Sequence, residues 1–255
     1  MADSERTGDL RGTRFVGANL RGARFIGSDL SGVVMRGVDA DGADIDAPWL
    51  PDGESFLVNG VNVIPFVEAE LDARFPGRSQ RRAPDADGLR AAWAVLEDTW
   101  AATVARADAM PEGTVDEQVD GEWSFAQTLR HLVLATNTWL GRAILGIEQP
   151  FHPLGLANAG AADDGLDMSI FVTEPPTYAE ILEVRREHQG MVRDFLATVT
   201  EADLEIVRKN PWAPQYPETT RSCLHVILEE EWEHHRYAVR DLDSLAARDV
   251  SSPTA

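Results

Sequence analysis

The chain holds one cysteine, Cys223, and one lysine, Lys209, in 255 residues. A single thiol cannot form an internal disulfide and leaves no cysteine cluster for a metal, so any ion would be held by His, Asp or Glu. Basic residues are scarce, 23 against 43 acidic, for a formal net charge of −20. That balance would repel a phosphate backbone, which is bound through clustered Lys and Arg, and direct nucleic-acid binding is disfavoured. No window approaches the roughly 18 apolar residues of a membrane span. The polar opening MADSERTGDLRG also lacks the basic-then-apolar order of a signal peptide. No membrane partner is expected, and the cytoplasm is the expected location. The dominance of Arg over Lys, with abundant Ala, Gly and Asp, points to a GC-rich bacterial genome. The 44% hydrophobic content is enough for a sizeable core at this length.

Periodicity begins within the first ten residues. Apolar side chains recur every five positions at Leu10, Phe15, Leu20, Phe25, Leu30 and Met35, with Ala40 weaker and Ile45 closing the series. Glycine keeps the same beat from Gly12 to Gly42, and small residues such as Ala18, Ala23, Ser28 and Ala43 stand two positions before the apolar ones. Neither a helical period of 3.6 nor a strand period of 2 keeps every fifth side chain on one face. The backbone must therefore turn at a fixed interval, as a solenoid does.

Ala18-Asn19-Leu20 and Ser28-Asp29-Leu30 resemble the A-(D/N)-L-x-x motif of the pentapeptide-repeat family. The resemblance implies a short right-handed quadrilateral β-solenoid over 8–46, with large apolar and small residues packed inside. Eight units make roughly two coils, and stacked repeats usually need about three units plus caps, so the rest of the chain is expected to cap them. Some family members are acidic rods that imitate DNA. Residues 1–46 carry six Arg against eight acidic residues, a net of −2, so this short, nearly neutral repeat reads as a structural or docking element instead.

Asn59-Gly60 between apolar residues predicts a hairpin over 56–63, because both turn positions favour positive φ. Pro65 opens a short helix through Glu68 to Phe75, stopped by Pro76-Gly77. The polar, basic tract from Gly77 to Pro84 reads as a solvated linker, so 47–84 forms a hairpin, short helix and linker. From Asp85 the spacing becomes helical. Four helices are predicted, over 87–107, 124–145, 175–198 and 222–247. Ser124 with Gln127 and Thr177 with Glu180 form capping boxes at the second and third. Four amphipathic helices within 85–247 fit a four-helix bundle, and the fold class is mostly α.

The fourth helix carries Glu229-Glu230-Glu231-Trp232-Glu233-His234-His235. Glu230 and His234 stand four residues apart and share a helix face, so they can chelate one ion. Glu231 and His235 have the same spacing one step around, which leaves two registers open. His131, set among apolar residues on the second helix, is the candidate third ligand.

At these residues the chain resembles the DinB superfamily, more narrowly its DinB_2-like and mycothiol-dependent maleylpyruvate isomerase-like branch. The matching stretches are Ser124–Leu132, Phe151–Gly155 and Glu230–Leu242, within about 85–245. The resemblance implies a divalent metal, zinc first and nickel or iron as alternatives, held by His131, Glu230 and His234. Motif alignment prefers this pair over Glu231 and His235. Glu230 replaces the commoner first His of the pair, as it does in the isomerase-like branch. Two His and one carboxylate leave a fourth position open.

An open site of this kind can activate water for hydrolysis or a thiol for transfer. The resemblance implies the latter, with mycothiol as thiol cosubstrate and a small-molecule electrophile as its partner. The rival reading is a non-enzymatic metal-binding scaffold whose repeat docks a partner, and a homodimer is allowed for. Arg130 and Arg240 are candidates for holding an anionic substrate, Arg240 being expected rather to pair with Asp241. His152 and His188 are assigned to structure, His152 in a loop near the entrance, and Cys223 to a buried small position. Trp93, Trp100, Trp123, Trp139 and Trp232 are assigned to packing, with Trp139 and Trp232 bordering the pocket.

Overall fold

A computed structural model describes residues 8–163 and 165–251. The chain divides into two compact units, one ending at Asp46 and one beginning at Ala47.

In the first unit the backbone turns every five residues, and Gly12, Gly17, Gly22, Gly27, Gly32, Gly37 and Gly42 all have positive φ. Alternate corners differ. Backbone hydrogen bonds of 2.9 to 3.0 Å close turns from Leu10 to Thr13, Leu20 to Ala23, Leu30 to Val33 and Ala40 to Ala43. At each closed corner the side chain of Asp9, Asn19, Asp29 or Asp39 accepts the backbone N–H two residues on. The intervening corners, at Gly17, Gly27 and Gly37, are bends. The expected enclosure of the apolar column is not realised: Phe15 is 55% and Phe25 60% exposed. Eight short repeats offer each side chain too few stacked neighbours to cover it. The column still points inward relative to the residue that follows it, since Val16 is 80% and Ile26 76% exposed.

The second unit is mostly helical. A two-stranded antiparallel hairpin, β1 (Leu57–Val58) and β2 (Val61–Asn62), turns at Asn59-Gly60, both at positive φ. It leads into α1 (Ile64–Arg74), with Pro65 in its first turn. Then come α2 (Ala86–Asp108), α3 (Phe125–Thr136), α4 (Tyr178–Thr198), the short α5 (Glu201–Leu204) and α6 (Thr220–Ser251). An antiparallel pair, β3 (Val207–Lys209) and β4 (Pro217–Thr219), precedes α6. Both expected capping boxes form, and Asp85 caps α2 by accepting from the Gly88 N–H.

The four long helices pack as a square in which α2 and α3 each contact both α4 and α6. Trp93, Trp100, Leu96, Leu129, Leu132 and Trp232 fill its interior. Among the described residues no helix is long and apolar enough to cross a membrane.

Two departures from the sequence expectation position the site. The second helix does not run evenly to 145: after Thr136 it widens into a π-helix, Asn137–Ile144. The Asn137 amide donates to His188 Nε2 at 2.8 Å and its carbonyl accepts the His152 backbone N–H at 2.9 Å. Gly141 packs so tightly that a Cβ there would meet Pro150 at 2.7 Å. These tertiary partners account for the local change of winding, which helical periodicity does not report.

The second departure is the tract 77–84, which is no solvated linker. Arg78–Arg82 forms a 3-10 turn, with Arg78 1% and Arg81 7% exposed. Arg78 donates to Asp72 and Glu68, each at 2.8 Å, and pairs more distantly with Glu233. Arg81 also pairs with Glu68, and Arg82 bridges Asp52 and Glu229. Carboxylates from α1 and α6 pair with the buried guanidiniums, and this tertiary pairing overrides the polar composition of the tract.

Candidate metal centre

Successive residues on a helix are about 100° apart, so the doubled acid–imidazole pairs of α6 face different neighbours. Glu231 turns into the bundle, 1% exposed, and pairs with Arg185 of α4. Burial raises the Glu231 carboxyl above its ordinary range, against the pull of Arg185. His235 lies 5% exposed among Trp100, Phe75 and Trp232. The Thr103 hydroxyl gives its proton to the Thr99 carbonyl and accepts from His235 Nε2 at 2.9 Å. Burial pushes His235 down to about 4, so at neutral pH it is an uncharged core residue.

Glu230 and His234 face α3 instead. Glu230 Oε2 lies 3.3 Å from His234 Nε2 and 3.6 Å from His131 Nε2. Among the described residues this is the group of His, Cys, Asp and Glu spaced to hold an ion, with one ligand atom from each within 4.8 Å of the others. Burial opposes ionisation of Glu230, but the His131 and His234 imidazoles beside it outweigh that and hold the carboxyl at about 2. Burial lowers His234 below the usual imidazole range despite Glu230 beside it.

The donor set fits a divalent cation. His131 Nδ1 donates to the Leu156 carbonyl at 3.1 Å, which fixes the tautomer and leaves Nε2 free to coordinate. The loop carrying Leu156 is itself tied down: its N–H bonds the Arg130 carbonyl at 3.2 Å, and Arg130 Nε donates to the Leu154 carbonyl at 2.9 Å. Trp123 packs against both imidazoles, its ring centroid 4.6 Å from that of His131 and 5.9 Å from that of His234.

The three donors line a cavity of about 440 Å³. Trp49, Trp123, Trp139, Trp212 and Tyr237 supply aromatic wall, and Glu229 and Glu233 on α6 add carboxylates held by the arginines of the 78–82 turn. Trp139 thus borders the cavity as expected, whereas Trp232 does not; it is 1% exposed in the bundle core. Arg130 is occupied with the loop, and Arg240 pairs with Asp241 and Glu122. His152 and His188 hold the junction of α3 with its π-helix, away from the cavity lining. Cys223 is fully buried, its thiol pushed up to about 12 by that burial. Sequence reasoning missed the roles of Trp123 and the Leu156 carbonyl. Trp123 stands just before the helix cap at Ser124, a place a pocket scan along the helix could have included. A backbone carbonyl leaves no sequence signal.

Fold and site together define a helical bundle in which two helices present two imidazoles and a carboxylate to a cavity. A family model of the DinB superfamily matches residues 95–238, and the chain belongs to that superfamily. A model of pentapeptide repeats matches eight copies over residues 9–46. Comparison with curated proteins and with solved structures found no match. The chain is DinB-like, with a group that could hold a metal ion.

Proposed function

We propose that the protein is a metal-dependent S-transferase that joins a low-molecular-weight thiol, mycothiol in the first instance, to a small electrophile. The observation that supports this reading is the convergence of His131, Glu230 and His234 on the wall of an aromatic cavity. Two imidazoles and one carboxylate suit zinc with an open position, nickel or iron being the alternatives. When bound, the ion would lower the pKa of a thiol placed against it.

The chain's own residues do the rest. Leu156 keeps the His131 ring from turning, and Glu230, ionised throughout the working pH range, supplies the negative charge. Trp123 shields both imidazoles from water, and the aromatic walls receive the apolar body of the electrophile. In the transfer, sulfur bonds to the electrophilic carbon as that carbon's bond to its leaving group or, in an addition, its π bond breaks. The thiol proton passes to the leaving group or, in an addition, to the adjacent carbon. A reducing cytoplasm suits such a cosubstrate, since it keeps the thiol from oxidising.

Metal analysis of untagged protein tests the ligand set: His131→Ala and His234→Ala should each lose the ion, and unchanged content in both rejects it. Conjugation of mycothiol to a panel of electrophiles, before and after chelation and metal restoration, tests the transfer. Absence of metal-dependent product throughout favours the second reading, a non-enzymatic metal-holding scaffold. One observation favours that scaffold: Phe15, Phe25 and Met35 of the repeat are 55 to 60% exposed, which suits a short quadrilateral solenoid that docks a partner, a second copy of the chain included.

A further inference from the structure

Thr138 lines the same cavity as His131, seven residues further along the chain. Both residues line the cavity, and seven residues along the helix place them about 10 Å apart along its axis. Leu134 and Ala135 lie between them on the cavity wall. Thr138 is 1% exposed, and its Oγ1 has no hydrogen-bond partner in the protein. A buried hydroxyl left unsatisfied is costly, and a partner for it is readily found within a helix. Thr99, Thr103 and Thr136 each donate to the carbonyl four residues back, at 2.8 to 3.0 Å. Thr138 does not, because it sits in the π-helix, where the backbone register has shifted. Arg78 also lines the cavity with an unpartnered nitrogen, but its other nitrogens bind Glu68, Asp72 and Glu233.

We infer that Thr138 is a specificity-determining contact: the natural ligand is an elongated molecule with a metal-binding head and an apolar middle, and about 10 Å from the head it carries a polar group that hydrogen-bonds the Thr138 hydroxyl. The cavity lining matches this division, with imidazole and carboxylate donors beside His131, aromatic and aliphatic wall between, and Thr138 beyond. A hydroxyl both donates and accepts, so an amide, hydroxyl or carboxylate satisfies it. The inference rests on the metal reading above, because it takes the ion as the other anchor.

The probes are straight-chain alkanethiols of increasing length ending in a primary amide, each compared with the methyl-ended thiol of equal length. Their affinity for the zinc-loaded full chain is read by calorimetry, with zinc content measured for every sample. In wild type the amide should win by about three- to tenfold at the length that reaches Thr138, and not at shorter lengths. Thr138→Val should abolish the preference with zinc content unchanged, and Thr138→Ser should restore it. Equal preference in wild type and Thr138→Val, or none at any length in a zinc-loaded wild type, overturns the role of Thr138 while the metal site stands. Failure of wild type to take up zinc overturns the metal reading, and the two-anchor ligand falls with it.

Discussion

Glu230 and Glu231 are chain neighbours, and so are His234 and His235, yet each pair is split between two environments by the 100° step of the helix. Their substitutions should therefore behave differently. Glu230→Gln should lose the metal while keeping the fold. Glu231→Leu leaves Arg185 buried beside an apolar group and should cost about 3 to 5 kcal/mol of stability while the folded fraction still binds the ion. Urea unfolding with metal analysis separates the two, and the reverse pattern would move the site to Glu231 and His235. The buried histidines also set an acid limit. His235 is held at about 4 and His188 is lowered by burial, both below an unfolded value near 6.5. Below the unfolded value the unfolded chain binds more protons, so their stabilisation is present above about pH 6.5 and is lost as pH falls, for His235 toward 4. Metal-free protein should lose up to about 1.4 kcal/mol per pH unit through His235 between about pH 6.5 and 4. Denaturant midpoints across that range are the check, and His235→Gln should flatten the slope.

At the scale of elements, the 3-10 turn at 78–82 joins α1 to α6 and supplies arginines to the cavity wall. Its entry depends on Gly77, whose φ is +101° and whose added Cβ would meet Val95 Cγ1 at 2.4 Å and Trp232 at 3.3 Å. Gly77→Ala should destabilise the helical unit by at least the roughly 1 to 3 kcal/mol typical of overpacking, since the backbone conformation is penalised as well. Thermal unfolding measures it; a change within error would show that the turn has room to move. The π-helix has a comparable origin, since Asn137 and Gly141 answer to His188, His152 and Pro150 and not to local propensity.

For the molecule as a whole, the hydrophobic clusters of the helical unit draw on residues from Phe75 onward. A chain of residues 47–255 should therefore fold, keep its helical circular dichroism and retain the metal content of the full protein. Loss of either would show that the repeat is needed to complete it. The repeat follows another rule, local turns closed by Asp or Asn every ten residues, with its apolar column left half uncovered.

Much was legible in the sequence because it depends on local spacing. The period of five, the Asn-Gly hairpin, the two capping boxes and the four amphipathic helices each follow from backbone geometry that neighbouring residues set. The i,i+4 relation of Glu230 and His234 belongs to the same class. Which of two such pairs faces His131 was decided only by tertiary packing, because that depends on Arg185 and Thr103 claiming the other pair from α4 and α2. The burial of Arg78, the widening of the helix at Asn137 and the unpaired hydroxyl of Thr138 are likewise tertiary facts. Local sequence determined where the chain winds and turns; contacts between distant segments determined which polar groups are satisfied and which are left for a ligand.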